Sequence, residues 1–191
     1  MLETIALLIF AYLLGSLSSA ILLSRIMGFE DPRTAGSENP GATNVLRIAG
    51  KKAAAFTLVG DILKGLIPVL IARLASDDTM VVALSAFAVF CGHCFPVFFH
   101  FRGGKGVATA GAATFAFNWI IGSIVLLIWI IFARVFKISS LAALFAFGAL
   151  PPMVFWFEQD ITVSAIFLAI YLILVWRHKG NIQRLIKGTE S

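Results

Sequence analysis

Gly103-Gly104-Lys105-Gly106-Val107-Ala108-Thr109-Ala110-Gly111-Ala112-Ala113-Thr114-Phe115-Ala116-Phe117 decides how often this chain crosses a membrane. Its second part, 107–117, is apolar but short, whereas about 20 residues are normally needed to cross a hydrocarbon core of about 30 Å. Around it lie apolar runs near 3–24, 53–75, 80–99, 119–135, 140–157 and 161–177, each long enough to span. The count is therefore six or seven, and charge decides it. With 107–117 as a crossing and the N-terminus outside, Arg25, Arg33, Arg47, Lys51, Lys52, Arg102, Lys105, Arg134, Lys137, Arg177, Lys179, Arg184 and Lys187 fall inside, 13 of the 15 basic residues. Asp77, Asp78, Glu158 and Asp160 then fall outside. Without that crossing, the six basic residues from Arg134 onward move to the outer face. The positive-inside rule thus predicts an all-α polytopic bundle of about seven spans, N-terminus out and C-terminus in. The short span needs a thinned bilayer or burial among its neighbours.

Composition agrees. Of the 191 residues, 60% are hydrophobic and 13% charged, against about a quarter charged in soluble domains. No linker, low-complexity tract or repeat divides the chain, so a single membrane domain over 1–191 is expected. Glu3 stands where a secretory leader would be basic, and Arg25 closes the first run, so that run reads as a retained span.

The first part of the opening stretch, Gly103 to Thr109, reads as an anion loop. Glycines leave backbone N–H groups free to converge on an oxyanion, Lys105 adds a full charge, and the following helix adds its N-terminal dipole. The spacing is not that of a nucleotide P-loop. Two more polar segments, 28–52 and 178–191, share its predicted side. The first carries Gly36-Ser37-Glu38-Asn39-Pro40-Gly41-Ala42-Thr43-Asn44 and then Arg47. Gly36, Pro40 and Gly41 impose turns, while Ser37, Asn39, Thr43 and Asn44 offer hydroxyl and amide groups. One helical turn puts Arg47 on the face of Asn44. A plain solvated loop, with Thr43 as a helix cap, is the alternative. The second carries His178, Asn181 and Arg184, which one stripe brings to a phosphate. Lys179 and Lys187 read as a basic tail near anionic lipid.

Asp61 and Lys64 lie three apart inside a span, where charges cost at least about 2.5–3.5 kcal/mol near the centre and so face protein or water. They read as a neutralising pair, with Lys64 the one able to approach an anion. Cys91-Gly92-His93-Cys94 has C-x-x-C spacing but interrupts an apolar helix, lacks a βαβ context and has no further ligands at zinc spacing. No metal and no cofactor are expected. His93 with Phe95-Pro96 reads as a helix end that presents the Gly-Lys loop.

Taken together, these motifs resemble the bacterial acyl-phosphate:glycerol-3-phosphate acyltransferase family. The resemblance rests on Gly36-Ser37 through Gly41-Ala42-Thr43-Asn44, and on Gly92-His93, Phe95-Pro96, Phe98, Phe101 and Gly103 to Thr109. A third block is His178, Asn181-Ile182, Arg184-Leu185, Gly188 and Glu190. Order and spacing agree along essentially the whole chain. Glu38 departs from the pattern, standing where such proteins often carry a small residue.

The resemblance implies acyl transfer from acyl-phosphate to the 1-hydroxyl of sn-glycerol 3-phosphate, giving lysophosphatidic acid and phosphate. It places the protein in the bacterial inner membrane, with membrane lipid around it and the site on the cytosolic face. A soluble enzyme that makes acyl-phosphate is a further candidate partner; nucleic acid is not. Ser37, Asn44, Lys105 and His178 are the catalytic candidates. Asn39, Gly41, Thr43, Arg47, Lys64, Gly103, Gly104, Gly106, Thr109, Asn181 and Arg184 are the candidates for substrate binding. The His-x-x-x-x-Asp dyad of other acyltransferases is missing, since none of His93, His100 and His178 has an acid five residues on. The base is then His178 or a phosphate oxygen of a substrate. A transporter of an organic phosphate is the alternative function; its polar residues should continue across the bundle.

Overall fold

The computed structural model describes residues 1–190. Ser191, the last residue of the expected domain, lies outside the described residues. Among them the secondary structure is helical throughout, with no strand. The helices are α1 (Leu2–Gly15), α2 (Ser19–Met27), α3 (Ala42–Ala75), α4 (Thr79–Cys94), α5 (Val107–Phe117), α6 (Trp119–Phe136), α7 (Ser139–Gly148), α8 (Leu150–Glu158), α9 (Ile161–Arg177) and α10 (Lys179–Ile186). Four segments are long and apolar enough to cross a membrane, and six if the bent pairs α1–α2 and α9–α10 each count as one. The short helix α5 is the seventh apolar segment.

Hydropathy runs smoothly through breaks that the backbone makes. The run 3–24 bends by 42° between α1 and α2. There Ser18 caps α2 by accepting from the Ile21 amide, and the Lys64 ammonium donates to the Leu17 carbonyl at 2.8 Å. An orphaned carbonyl inside a membrane is thus satisfied by a side chain from another helix. The run 140–157 divides at Ala149, where Pro151 and Pro152 enter the first turn of α8. Helix α3 starts at Ala42, well before its apolar run, and breaks at Gly50 (φ 80°, ψ −177°). That divides the polar turns bearing Asn44 and Arg47 from the membrane helix.

The core is built around α4 and α5. Helix α4 packs on α1, α3, α5 and α9, while α5 packs on α3, α4 and α6. Most of α5 is buried, from Thr109 and Ala110 to Ala116 and Phe117. It is therefore sheltered by other helices instead of facing lipid alone. Contact is close because small residues meet there: at Gly65 of α3 a Cβ would strike the Thr109 carbonyl. Phe117 packs on Phe167 of α9 with tilted rings, 4.7 Å between centroids. At one end of the bundle Asp78, Asn118 and Asp160 cap α4, α6 and α9 by accepting from their first free amides. The basic loops gather at the other end.

Candidate active site

The loop between α2 and α3 is shaped by Asn44. Buried in the first turn of α3, its Oδ1 accepts from the Ser37 amide at 2.8 Å. Its Nδ2 donates to the carbonyls of Pro32 at 3.0 Å and Ala35 at 2.9 Å. The side chain is thus spent on folding the loop, and Ser37 and Arg47 are left on its outer side. Arg33 further braces the turn on Asp31 (2.7 Å), and its hydrogen bonds, stronger than the opposing burial, hold that carboxyl below the usual range. Gly41, not Thr43, occupies the cap position of α3. Thr43 is exposed, and Asn39 lies against Gly41. Glu38 adopts φ 56°, a left-handed conformation that a small residue such as glycine takes without strain.

The Gly103–Gly106 loop threads between α4 and the end of α9. Gly104 donates to the His93 carbonyl at 3.2 Å, and its Cα sits so close to the His93 ring that a Cβ would strike Nε2. Arg177 closes the other side, donating from Nε to the Gly104 carbonyl at 3.0 Å and from Nη2 to the Gly103 carbonyl. Gly106 (φ 81°) ends the loop as the cap residue of α5, with no side chain on the helix terminus. The Lys105 ammonium lies within electrostatic reach of Glu190, Arg184, Arg47 and Arg177. Burial, reinforced by the three arginines, brings its pKa down to about 8.

The third segment converges on one carboxylate. Glu190 accepts from Ser140 at 2.8 Å, from Asn181 at 2.5 Å and from Arg184 at 2.6 Å. Burial raises its pKa, but these donors outweigh it and hold the carboxyl below its usual range. Asn181 and Arg184 do meet, as the stripe predicts. His178 does not join them, because it is buried at the α9–α10 joint and bonded to the Leu174 carbonyl at 2.8 Å. A carbonyl only accepts, so Nδ1 carries the hydrogen and Nε2 keeps its lone pair. Burial depresses this imidazole to about 4, against the pull of the Leu174 bond and with help from the Lys105 charge. It is neutral at ordinary pH.

Gly36, Ser37, Arg47, Arg184, Thr189 and Glu190 line a cavity of about 330 Å³ that joins the first and third segments. Lys105 and the glycines of its loop do not line it, and neither do Lys64 and Thr109. Lys64 pairs with Asp61 at 2.9 Å inside α3. Thr109 donates to the Asp61 carbonyl at 3.1 Å and lies 3.0 Å from His93 Nδ1. These four residues form a closed polar knot beneath the loop. A second cavity of about 270 Å³, at the opposite end of the bundle, sets Arg73 against Asp77 and Glu158. Its carboxylates make it a poor place for an anion. Sequence reasoning missed Arg177, which looked like a flanking charge, and Ser140, which looked like the start of a span. Glu190 was visible in a motif but had no role there.

The profile of the family described as glycerol-3-phosphate acyltransferase matches residues 5–188. A glycerol-3-phosphate acyltransferase of Methylococcus capsulatus is 51% identical over 185 residues, covering 95% of this chain and 92% of that protein. One from Francisella tularensis subsp. novicida is 50% identical over 186 residues, covering 97% and 91%. Among solved structures, the glycerol 3-phosphate form of PlsY (YgiH), an integral membrane glycerol 3-phosphate acyltransferase, superposes with a TM-score of 0.91 at 38% identity, covering 99% of this chain and 94% of that one. Its lysophosphatidic acid form gives 0.87 at 36% identity, with the same coverage.

Proposed function

This chain belongs to the glycerol-3-phosphate acyltransferase family and is an integral-membrane acyltransferase; on that premise we propose that it acylates the 1-hydroxyl of sn-glycerol 3-phosphate from acyl-phosphate. The products are lysophosphatidic acid and inorganic phosphate. One observation carries the reading. Arg47 and Arg184 line a cavity formed by segments that lie far apart in sequence, and the charges of both act on Lys105, which stands just before the bare N-terminus of α5. Such a place suits two phosphate-bearing substrates, one soluble and one held by its chain in lipid. The forms in which the PlsY neighbours were solved, with glycerol 3-phosphate and with lysophosphatidic acid, support the same acceptor and product.

In this scheme the glycerol 1-oxygen attacks the acyl carbonyl carbon. The bond from that carbon to the phosphate oxygen breaks, and phosphate leaves with the electron pair. Lys105 and the loop amides stabilise the charge that develops on the leaving group. Ser37, Asn39, Gly41, Thr43, Arg47, Asn181 and Arg184 orient the acceptor, with Asn44 acting through the loop it folds. The hydroxyl proton goes to a phosphate oxygen of a substrate. The neutral, depressed imidazole of His178 supports that route over a histidine base, leaving its Nε2 to accept a hydrogen bond. The chain works as one domain in a bacterial cytoplasmic membrane, N-terminus out, with the site on the cytosolic face. Its acyl-phosphate comes from a soluble synthesising enzyme.

Phosphate release by purified protein tests the reaction. Release that needs both acyl-phosphate and glycerol 3-phosphate, with lysophosphatidic acid formed in equal amount, is the expected result. Glycerol 3-phosphate uptake into vesicles without acyl transfer would favour a transporter instead.

A further inference from the structure

Arg177 is the last residue of α9, and its guanidinium is committed to backbone. Nε donates to the Gly104 carbonyl at 3.0 Å and Nη2 to the Gly103 carbonyl. Its cationic carbon lies 5.9 Å from the Phe95 ring centre and 5.7 Å from that of Trp176, which fixes the fork in place. A trans peptide is planar, so its C=O and the next N–H point in opposite directions. With both carbonyls turned to Arg177, the amides of Gly104 and Lys105 must point away from it. The Gly104 amide does so, donating to the His93 carbonyl at 3.2 Å on the far side. The Lys105 amide has no backbone acceptor among the described residues.

We propose that Arg177 is a positioning residue for acyl transfer: its two-pronged grip on Gly103 and Gly104 sets the loop so that the Lys105 amide and ammonium meet a substrate phosphate. This rests on the reading that the loop holds a phosphate. Arginine suits the task because its planar fork reaches two acceptors at once, whereas a lysine offers a point charge able to satisfy one. The grip also brings a charge. The groups facing Lys105 are Glu190, Arg184, Arg47 and Arg177, and those facing His178 are Lys105, Glu190 and Arg177. Removing Arg177 therefore acts on the loop in two separable ways, through shape and through field.

The experiment compares the parent, Arg177→Met, Arg177→Lys and Lys105→Ala in detergent or vesicles. The readouts are competition by inorganic phosphate and the pH profile of kcat/KM, which reports groups of the free enzyme. In the parent, kcat/KM should fall as pH rises through about 8, where burial and the neighbouring arginines bring Lys105 to lose its proton. Arg177→Met keeps the stem over the rings but loses fork and charge. It should weaken phosphate competition at least about tenfold, lower kcat/KM about a hundredfold, and move the alkaline limb upward. Arg177→Lys should weaken competition by less and leave the limb in place. Parent-like phosphate competition in folded Arg177→Met overturns the proposal. So does a loss of activity in which neither the limb nor the competition changes, because that is a merely structural effect. If Arg177→Met does not fold, Arg177→Lys decides alone, and parent-like competition there overturns it. Inorganic phosphate that still binds Lys105→Ala as it binds the parent, read by calorimetry because this variant turns over little, instead refutes the loop as the anion site, whatever Arg177 does.

Discussion

Gly104→Ala tests how tightly the anion loop is seated. An added Cβ would collide with His93 Nε2, and it would lie 3.2 Å from His93 Cε1 and from the Pro40 carbonyl. The imidazole cannot retreat. It is buried, with Nδ1 3.0 Å from Thr109 Oγ1 and 3.8 Å from Asp61 Oδ1. The Pro40 oxygen is backbone of the first loop, so it cannot swing aside either. The glycine loop must therefore move, by about 1 Å to reach ordinary van der Waals contact. A displacement of that size in a reacting group costs about 10²-fold, or roughly 2.7 kcal/mol of barrier. Overpacking should also cost about 1–3 kcal/mol of stability. The control is Gly111→Ala in the middle of α5, where an added Cβ would meet no neighbouring group within 4 Å. That change should gain roughly 0.4–1 kcal/mol and leave activity alone. Initial rates of phosphate release, with thermal unfolding measured on the same samples, separate the two effects. A Gly104→Ala enzyme within about threefold of the parent would mean that the loop does not rest on His93, and the account of the site would fail with it.

Lys105→Ala should nearly abolish activity while Lys187→Ala stays close to the parent, since a charge-assisted contact to phosphate is worth roughly 1.5–3 kcal/mol and a solvated lysine little; equal kinetics for the two would remove Lys105 from the anion site. His178→Asn should raise KM for glycerol 3-phosphate more than it slows a saturated single turnover, and the acid limb should survive in it. A large fall in the chemical step, together with loss of a titrating group, would make His178 the base. Because burial depresses His178 from about 6.5 to about 4, the parent should also lose stability as pH falls through that window, where only the unfolded chain readily takes the proton; His178→Asn should lose less, as melting at successive pH values would read. Cysteines at Ser37, Arg102 and Asn181 should be labelled only from the cytosolic side and one at Gln159 only from outside. Labelling of position 181 from outside would mean that α5 does not cross.

The spans were legible because lipid demands long apolar runs, and such runs survive any detail of packing. Their breaks were not. Hydropathy cannot register that the Leu17 carbonyl finds the Lys64 ammonium, since that partner is distant in sequence. The same blindness put Lys64 and Thr109 among the substrate ligands: a charge or hydroxyl in a span faces either a cavity or another polar group, and spacing does not say which. The loops bearing Lys105, Arg47 and Arg184 stood out as candidates because cations and glycines in short loops have few structural uses. Arg177 was hidden by its place at a span end, where a basic residue is expected for topology alone. Asn44 sits in the right motif, but its work is to hold the carbonyls of Pro32 and Ala35.

The shortness of α5 governs the depth at which chemistry can take place. Eleven residues rise about 16 Å, roughly half of a hydrocarbon core of about 30 Å. On the proposed topology, the glycine loop at one end of α5 and Asn118, beside Arg73 and Glu158, at the other lie nearer the midplane than the ends of the longer helices that bury α5. On that topology the protein has a waist at this helix. A lipid lying against that waist can expose its head group without being lifted out of the leaflet. In the proposed reaction the soluble substrate makes the descent instead, entering a region where its charge is poorly solvated by anything except the cations of the site. A molecule of similar shape without the phosphate has nothing to draw it down. Discrimination against neutral polyols then begins with depth, before any group on the glycerol skeleton is touched.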